Sequence, residues 1–240
     1  MIDVSSSEGV WRVTLNRPEK ANALTPEMLV DLARIAGEAH ADWGLKGFVL
    51  TGAGDRAFCA GADVSGGDMN AFTKDRCWTE ASAAIAALPC LTIAALNGTL
   101  AGGGFCPALA CDIRISTPRA SFFYPVLKRG YLPQPADVVR LRELVGPSRT
   151  KQLVMAGAKI DAPTALSWGL INRIEELDDF PNVLEDLLAD AVAAKPESNA
   201  AIKQLLNGPQ GEELEDCYRA AYDSDADAIA RVTGRSKSTR

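Results

Sequence analysis

The sequence predicts an α/β protein with a largely parallel sheet, because short apolar strands alternate with helices through its first 135 residues. Residues 47–52 and 91–96 are apolar runs bounded by glycine or proline, which is typical of strands buried on both faces. Helical periodicity dominates the rest of the chain. The 240 residues are 47% hydrophobic and 23% charged, as expected for a globular protein rather than a disordered one.

The N-terminal elements follow from turn and capping chemistry. Residues 2–5 and 10–15 predict a hairpin around a Ser-Ser-Glu-Gly turn. A helix is expected to begin at Pro26, with Thr25 as its N-cap. The apolar residues that follow recur at helical spacing, which indicates an amphipathic helix. His40 ends this helix, and we interpret it as a helix-end residue rather than a catalytic one.

The middle of the chain predicts strand–loop–helix units. After the strand at 47–52, the expected elements are a loop at 53–67, a helix over about 68–88, a strand at 91–96, a glycine run at 102–104, a helix at 105–110 and strands at 112–116 and 120–123. A proline-rich loop to residue 135 precedes helices expected at 136–145, 147–156, 163–168, 180–194, 198–206 and 211–232, with one strand at 170–174. The apolar stripes beyond residue 180 predict association with other subunits.

Charge and composition exclude several classes of function. The net charge of −6 and the lack of a dense basic stripe argue against nucleic-acid binding. No uncharged apolar run reaches the ~18 to 20 residues of a membrane helix, and the N-terminus has no signal-peptide pattern, so a cytoplasmic location is expected. Six cysteines without a CxxC pair predict reduced thiols. A single histidine argues against a zinc site and a histidine-dependent triad.

Two loops have the same form: small residues between a buried strand and a helix. They are residues 58–63 (FCAGAD) and 97–105 (NGTLAGGGF). Backbone amides at a helix start are unpaired, and small side chains allow a ligand to approach them closely. Two such amides converging on one oxygen would form an oxyanion hole for a carbonyl that acquires negative charge. The alternatives are tight packing and phosphate binding, but the glycine run fits neither GxGxxG nor GxxxxGK[ST].

Four stretches of the chain resemble the crotonase family, also called the enoyl-CoA hydratase/isomerase superfamily. They are residues 15–24 (LNRPEKANAL), 58–63, 97–112 and 165–171 (ALSWGLI), in the order found in the family. The resemblance implies a ClpP-like spiral of ββα units over residues 1–180, which holds a CoA-thioester site. It also implies a helical region at 181–240 that forms a homotrimer or a dimer of trimers.

The same resemblance implies where an acyl-CoA thioester binds. Its carbonyl oxygen would lie between the amides of Ala62 and Gly103. Coenzyme A would be part of the substrate, and no metal or redox cofactor is implied. The residues that would flank the CoA moiety are Lys20, Ala21, Ala23, Ala60, Asp63, Val64 and Ser65, with Ala60 meeting the adenine.

The sequence departs from the family pattern at the acid–base positions. Hydratases of the family keep two glutamates, and the corresponding positions here hold Cys106 and Val126. Hydration needs one group to activate water and another to deliver a proton, and valine can do neither. A third position, an aspartate in some family members, is Gln134.

Local alternatives for acid–base work are Cys106, Tyr124 and Tyr131, together with Gln134, Asp137 and Asp68. Each also has a structural interpretation. Cys106 would be a small packing residue, the tyrosines loop aromatics on the core, and Asp137 the cap of the following helix.

The sequence therefore predicts an enzyme that stabilises a thioester enolate, nominally an enoyl-CoA hydratase. We expect an isomerase, a decarboxylase or a retro-Claisen-type lyase rather than a true hydratase. A non-catalytic acyl-CoA-binding or assembly subunit is the alternative. A serine protease of the related spiral fold is more remote, because His40 is poorly placed to serve a serine.

Overall fold

The computed structural model describes residues 1–65 and 68–207, and its strands in these ranges form two sheets. The strands are β1 (Ile2–Ser7), β2 (Val10–Leu15), β3 (Gly47–Gly52), β4 (Ala57–Cys59), β5 (Leu91–Leu96), β6 (Thr99–Ala101), β7 (Ile113–Ser116), β8 (Ser121–Phe123), β9 (Lys159–Asp161) and β10 (Arg173–Ile174). The α-helices are α1 (Pro26–Ala41), α2 (Met69–Lys74), α3 (Cys77–Ala86), α4 (Phe105–Ala110), α5 (Val126–Arg129), α6 (Pro135–Val154), α7 (Ala162–Trp168), α8 (Phe180–Ala193) and α9 (Pro196–Asn207).

The chain winds between the two sheets as a spiral. The larger sheet has the order β1-β2-β3-β5-β7-β10 and is parallel except for the β1–β2 hairpin. The smaller sheet has the order β4-β6-β8-β9, with β4, β6 and β8 parallel. The first turn places both of its strands, β1 and β2, in the larger sheet. The next three pairs, β3–β4, β5–β6 and β7–β8, each contribute one strand to the larger sheet and one to the smaller sheet before a helix follows. The expected α/β class and the ββα spiral are confirmed.

Helix α1 forms for the reasons that its sequence suggests. The Thr25 side chain accepts a hydrogen bond from the amide of Met28, and Pro26 occupies the first helical turn. The apolar stripe of α1 is fully buried and packs mainly against α3. This packing fixes the segment at residues 15–24, which leads into α1, against the core.

The single helix expected over about 68–88 is two helices, α2 and α3. Asp75 separates them with an extended backbone, and its carboxylate accepts a hydrogen bond at 2.8 Å from the amide of Cys77. Aspartate competes with helical hydrogen bonding in this way. The break turns Trp78 so that its indole N–H donates to the carbonyl of Phe72 at 2.9 Å.

The C-terminal helices differ from expectation in their details. The expected break between 145 and 147 occurs inside α6, where Gly146 has a φ of +77° and Pro147 follows. Of the strand expected at 170–174, only β10 pairs with the sheet. The helix expected at 211–232 lies outside the described residues. No helix in the described ranges has both the length and the apolar character needed to cross a membrane.

Candidate active site

A cavity of about 400 Å³ opens where the two small-residue loops meet. Residues 60–65 form one wall, residues 101–103 form the opposite wall, and the segment from Phe123 to Gln134 forms the roof. Trp78 and residues from α2 close the remaining side. Both loops therefore belong to one site. No cluster of three or more potential metal-ligating side chains occurs among the described residues.

Ala62 presents a backbone N–H that the neighbouring bridge does not use. Its loop pairs with Leu24, whose amide donates to the carbonyl of Gly61 at 2.8 Å and whose carbonyl accepts from Asp63 at 2.8 Å. In a parallel bridge the central residue, Ala62, directs its own amide to the opposite side. Gly61 has a φ of +105°, and a Cβ at Gly61 would lie 3.1 Å from the nitrogen of Gly103. Only glycine fits this close approach of the two loops.

Gly103 lies directly across from Ala62. A Cβ on Gly103 would be 3.4 Å from the nitrogen of Ala62, and it would collide with the ring of Trp78 at 2.5 Å. Both residues line the cavity, so two backbone nitrogens approach the same small volume from opposite loops. This arrangement can hold an oxygen that acquires negative charge, as an oxyanion hole does.

Two buried asparagines hold residues 52–57, the segment that leads from β3 through β4 toward the first loop. The side-chain amide of Asn22 donates to the carbonyls of Ala53 and Ala57, at 3.0 and 2.8 Å. Asn97 accepts from the amide of Gly52 at 3.0 Å and donates to the carbonyl of Gly54 at 2.7 Å. These bonds satisfy backbone groups at the strand ends, and so they hold this connecting segment in place.

Asp63 holds the 60–65 loop against the segment before α1. The guanidinium of Arg17 contacts its carboxylate at 2.8 Å, and Ser65 donates to it from both hydroxyl and amide. Hydrogen bonding by Ser65, followed by Arg17, holds the pKa of Asp63 well below its ordinary value. Asp63 is therefore a fixed anion whose hydrogen-bonding capacity is already engaged.

The residues proposed to flank CoA do not all reach the cavity. Those that line it are Lys20, Ala23, Ala60, Asp63, Val64 and Ser65. Ala21 lies behind this lining, with its carbonyl accepting the amide of Ala60 at 2.9 Å. Arg129 also lines the cavity, although it is exposed.

Tyr124 is buried in the roof of the cavity and is linked to a buried acid. Its ring stacks on Phe105 with a centroid separation of 5.1 Å, and its hydroxyl donates to Oδ2 of Asp137 at 2.7 Å. The interpretation of Asp137 as a helix cap is wrong. Gln134 occupies the N-cap of α6 without a side-chain cap bond, and Asp137 is fully buried in the first turn. Oδ1 of Asp137 has no hydrogen-bond partner.

The other candidate acid–base residues occupy different environments. Cys106 is buried behind the cavity wall, where its thiol donates to the carbonyl of Trp78 and burial raises its pKa well above the ordinary value. Tyr131 and Val126 are half-buried and line the cavity. Asp68 caps α2 by accepting from the amides of Asn70 and Ala71. The catalytic roles of Cys106, Tyr124 and Tyr131 stay predictions.

A family model for enoyl-CoA hydratase/isomerase matches residues 5–233 of this chain. The chain belongs to the enoyl-CoA hydratase/isomerase family. The short-chain-enoyl-CoA hydratase of Clostridium acetobutylicum is 33% identical over 89% of this chain and 83% of its own length. The carnitinyl-CoA dehydratase of Escherichia coli K12 is 28% identical over 91% of this chain and 84% of its own length.

A solved structure of the family has the same fold. The enoyl-CoA hydratase of Bacillus anthracis superposes with a TM-score of 0.84 at 26% identity, covering 97% of this chain and 93% of that chain. This agreement extends over the spiral and the helices that follow it, which confirms the fold implied by the sequence resemblance.

The buried carboxyl group of Asp137 should make the free energy of unfolding of this protein depend on pH. Burial raises the pKa of Asp137 from 3.8 to about 7, so the folded protein holds this proton more tightly than the unfolded chain. The free energy of unfolding therefore falls as pH rises between these values, by roughly 1.4 kcal/mol per pH unit. The free energy of unfolding of Asp137→Asn lacks this pH dependence. Its difference from the wild-type value is therefore expected to shift in favour of the variant by about 2 to 3 kcal/mol between pH 5 and pH 8.

Urea denaturation of both proteins across this pH range measures the difference. Asp178→Asn makes the same chemical change at an exposed position, and it serves as the control. Parallel stability profiles for wild type and Asp137→Asn would contradict the prediction.

Proposed function

We propose that the protein acts on an acyl-CoA or acyl-carrier thioester and stabilises its enolate. The observation that carries the proposal is the close approach of the two loops, which brings the backbone nitrogens of Ala62 and Gly103 to one cavity. A thioester oxygen held there gains negative charge when an α-proton or an α-carboxylate leaves, and preorganised N–H donors stabilise that charge. The relatives named above are a hydratase and a dehydratase of CoA thioesters, and this chemistry is proposed here for the same cavity.

The lining of the cavity supports reactions other than hydration. Of the described residues that line it, Asp63 alone carries a carboxylate, and Arg17 and Ser65 already engage that group. The proposal takes Cys106 and Val126, from the sequence resemblance, as the positions at which hydratases of the family keep glutamates. Holding and activating a water molecule needs a free base within hydrogen-bond reach. Double-bond isomerisation and decarboxylation add no water, so the enolate and a single acid–base group suffice for them. Retro-Claisen cleavage releases the same enolate, after a nucleophile has added to the β-carbonyl of the substrate.

The mouth of the cavity offers a path for the CoA moiety. Lys20 and Ala23 lie on one side, and residues 60–65 lie on the other. We propose that CoA binds between these segments as part of the substrate, with Ala60 beside the adenine. Lys20 and Arg129 are the cations among the described lining residues, which suits a ligand with phosphate groups.

A panel of thioesters tests the proposal. 3-Butenoyl-CoA reports isomerisation, malonyl-CoA reports decarboxylation, and acetoacetyl-CoA reports cleavage. Mass spectrometry of the products and calorimetry of binding are measured in parallel. Turnover of at least one thioester supports the enzyme. Saturable binding without product in every case would identify an acyl-CoA-binding or assembly subunit, and no binding would exclude both.

The protein is proposed to assemble as a trimer or a dimer of trimers through residues 181–240. Within the described part of this region, α9 exposes Ile202 and Leu206, at 58% and 79% of their surface. Two exposed apolar side chains, one helical turn apart, form a surface that contact with another subunit would bury. Sedimentation at micromolar concentration should therefore give three or six times the chain mass of 25.5 kDa. A mass of a single chain would contradict this assignment.

A further inference from the structure

The buried carboxyl group of Asp137 is a feature that packing does not explain. It is fully buried, and its Oδ1 atom has no hydrogen-bond partner. Burying an acid in this way lowers stability, and an asparagine of the same size would avoid the charge. Groups kept at such a cost are concentrated at functional sites.

Tyr124 connects this carboxyl group to the cavity. The phenol lines the cavity wall, and its hydroxyl donates to Oδ2 of Asp137 at 2.7 Å. The backbone amide of Gln134 donates weakly to the same hydroxyl, at 3.4 Å. The Gln134 side chain donates to the carbonyl of Thr73 at 2.9 Å, which ties the roof to α2. The stack on Phe105 fixes the plane of the ring, so the hydroxyl has a defined position beside Asp137 in a residue that lines the cavity.

We propose that Tyr124 and Asp137 form the proton-transfer unit of this site, with Tyr124 touching the substrate and Asp137 storing the proton behind it. The inference rests on the proposed function, because it needs a thioester enolate in the cavity. Tyr124 is the catalytic residue of the pair. Asp137 acts through Tyr124 and is a positioning residue.

The proton transfer balances without a further reactant. When the enolate is protonated, its carbon forms a C–H bond with the phenolic proton of Tyr124. In this step Asp137 is protonated and its Oδ2–H donates to the phenol oxygen, the reverse of the hydrogen bond that its carboxylate accepts. The phenol oxygen takes that proton as it gives its own to the substrate. Tyr124 ends neutral, Asp137 ends as a carboxylate, and the substrate ends as a neutral thioester. The reverse sequence removes an α-proton and leaves Asp137 protonated.

The groups that face Asp137 allow both of its protonation states near neutrality. Burial raises its pKa to about 7, while Tyr124 and Arg140 act in the opposite direction. Arg140 lies on the same helix, and its guanidinium donates to the hydroxyl of Ser82. Cys106 faces the pair from α4, and burial keeps its thiol neutral. A group with a pKa near the working pH is an efficient donor and acceptor.

Deuterium exchange at the substrate tests the pair directly. The probe is 3-butenoyl-CoA in D₂O, because its α-protons are acidified by both the thioester and the double bond. Mass spectrometry measures deuterium in the recovered thioesters against an enzyme-free blank. Tyr124→Phe keeps the ring stack and removes only the hydroxyl, and exchange should fall about a hundredfold or more. Calorimetric affinity for butyryl-CoA should stay within about threefold, which shows that the cavity is intact.

The pH profile distinguishes a proton store from a structural residue. α-Proton removal needs the carboxylate, so wild-type exchange should rise with pH to a plateau above about 7. In Asp137→Asn the rate should be low and independent of pH over this range. Asp178→Asn, at an exposed position, should retain the wild-type profile.

The outcomes separate the inference from the proposed function. Wild-type exchange that persists unchanged in Tyr124→Phe overturns the proton-transfer unit while leaving the enolate chemistry in place. A wild-type pH profile in folded Asp137→Asn overturns the role of Asp137. Binding of butyryl-CoA without any exchange in the wild type overturns the unit as well. Failure to bind any thioester overturns the proposed function itself.

Discussion

Replacing Ala62 with proline is expected to lower kcat/KM for a thioester substrate by about a hundredfold or more, with the fold retained. Losing one oxyanion donor costs roughly 3 kcal/mol in the transition state. Proline removes the Ala62 N–H, whereas the bridge to Leu24 uses the carbonyl of Gly61 and the amide of Asp63. The residue before the new proline is glycine, which tolerates the restriction that proline imposes on its neighbour.

Ala62→Gly is the matched control, because it changes the same side chain and keeps the N–H. It should retain turnover within a few-fold of wild type. Gly103→Pro removes the opposite donor, but any Cβ there meets Trp78 at 2.5 Å. Gly103→Ala creates the same collision but keeps the amide. The contribution of the Gly103 N–H is therefore measured by the ratio of kcat/KM between Gly103→Ala and Gly103→Pro. Normal turnover by a folded Ala62→Pro protein would show that its amide is not part of the hole.

The two loops that line the cavity were predictable from the sequence because their signals are local. Glycine at positions 61 and 103 reflects a positive φ in one case and a close approach to Trp78 in the other. The Thr25 cap and the apolar strands are equally local, since hydrogen-bonding geometry and burial on both faces restrict the residue types. Repetition of a strand, a small-residue loop and a helix then indicates the ββα spiral.

The environment of Asp137 could not be read from the sequence in the same way. An aspartate in the first turn of a helix, three residues after Gln134, has the same local sequence whether it caps the helix or lies buried. Its burial depends on Tyr124, thirteen residues earlier, and on the ring of Phe105. The position of Cys106 behind the wall likewise depends on tertiary packing. The break at Asp75 has a local cause, the bond from the amide of Cys77, which the helical periodicity of the flanking residues masks.

Crotonyl-CoA hydration is expected to be at most a trace activity of this protein. Acid–base assistance contributes roughly 10² to 10⁴ per group, and hydration of a double bond uses two groups. The cavity wall carries Val126 at one of the proposed positions, and Cys106 at the other is buried away from it as a neutral thiol. Tyr124 and Asp137 are proposed to supply one of the two groups, the one that delivers the proton. The water-activating group is missing, because Asp63 is engaged with Arg17 and Ser65.

The assay follows the loss of the conjugated thioester absorbance, with the short-chain-enoyl-CoA hydratase of Clostridium acetobutylicum, at 33% identity, as the positive control. Val126→Glu places a carboxylate on the cavity wall, and it should bind crotonyl-CoA with the fold retained. Cys106→Glu would put a charge in the core and should lower the free energy of unfolding instead, because that site offers no solvent. Rebuilding the hydratase therefore needs more than two substitutions. A wild-type turnover number within tenfold of the control would refute the prediction, and it would mean that Tyr124, Tyr131 or Asp137 activates water in this cavity.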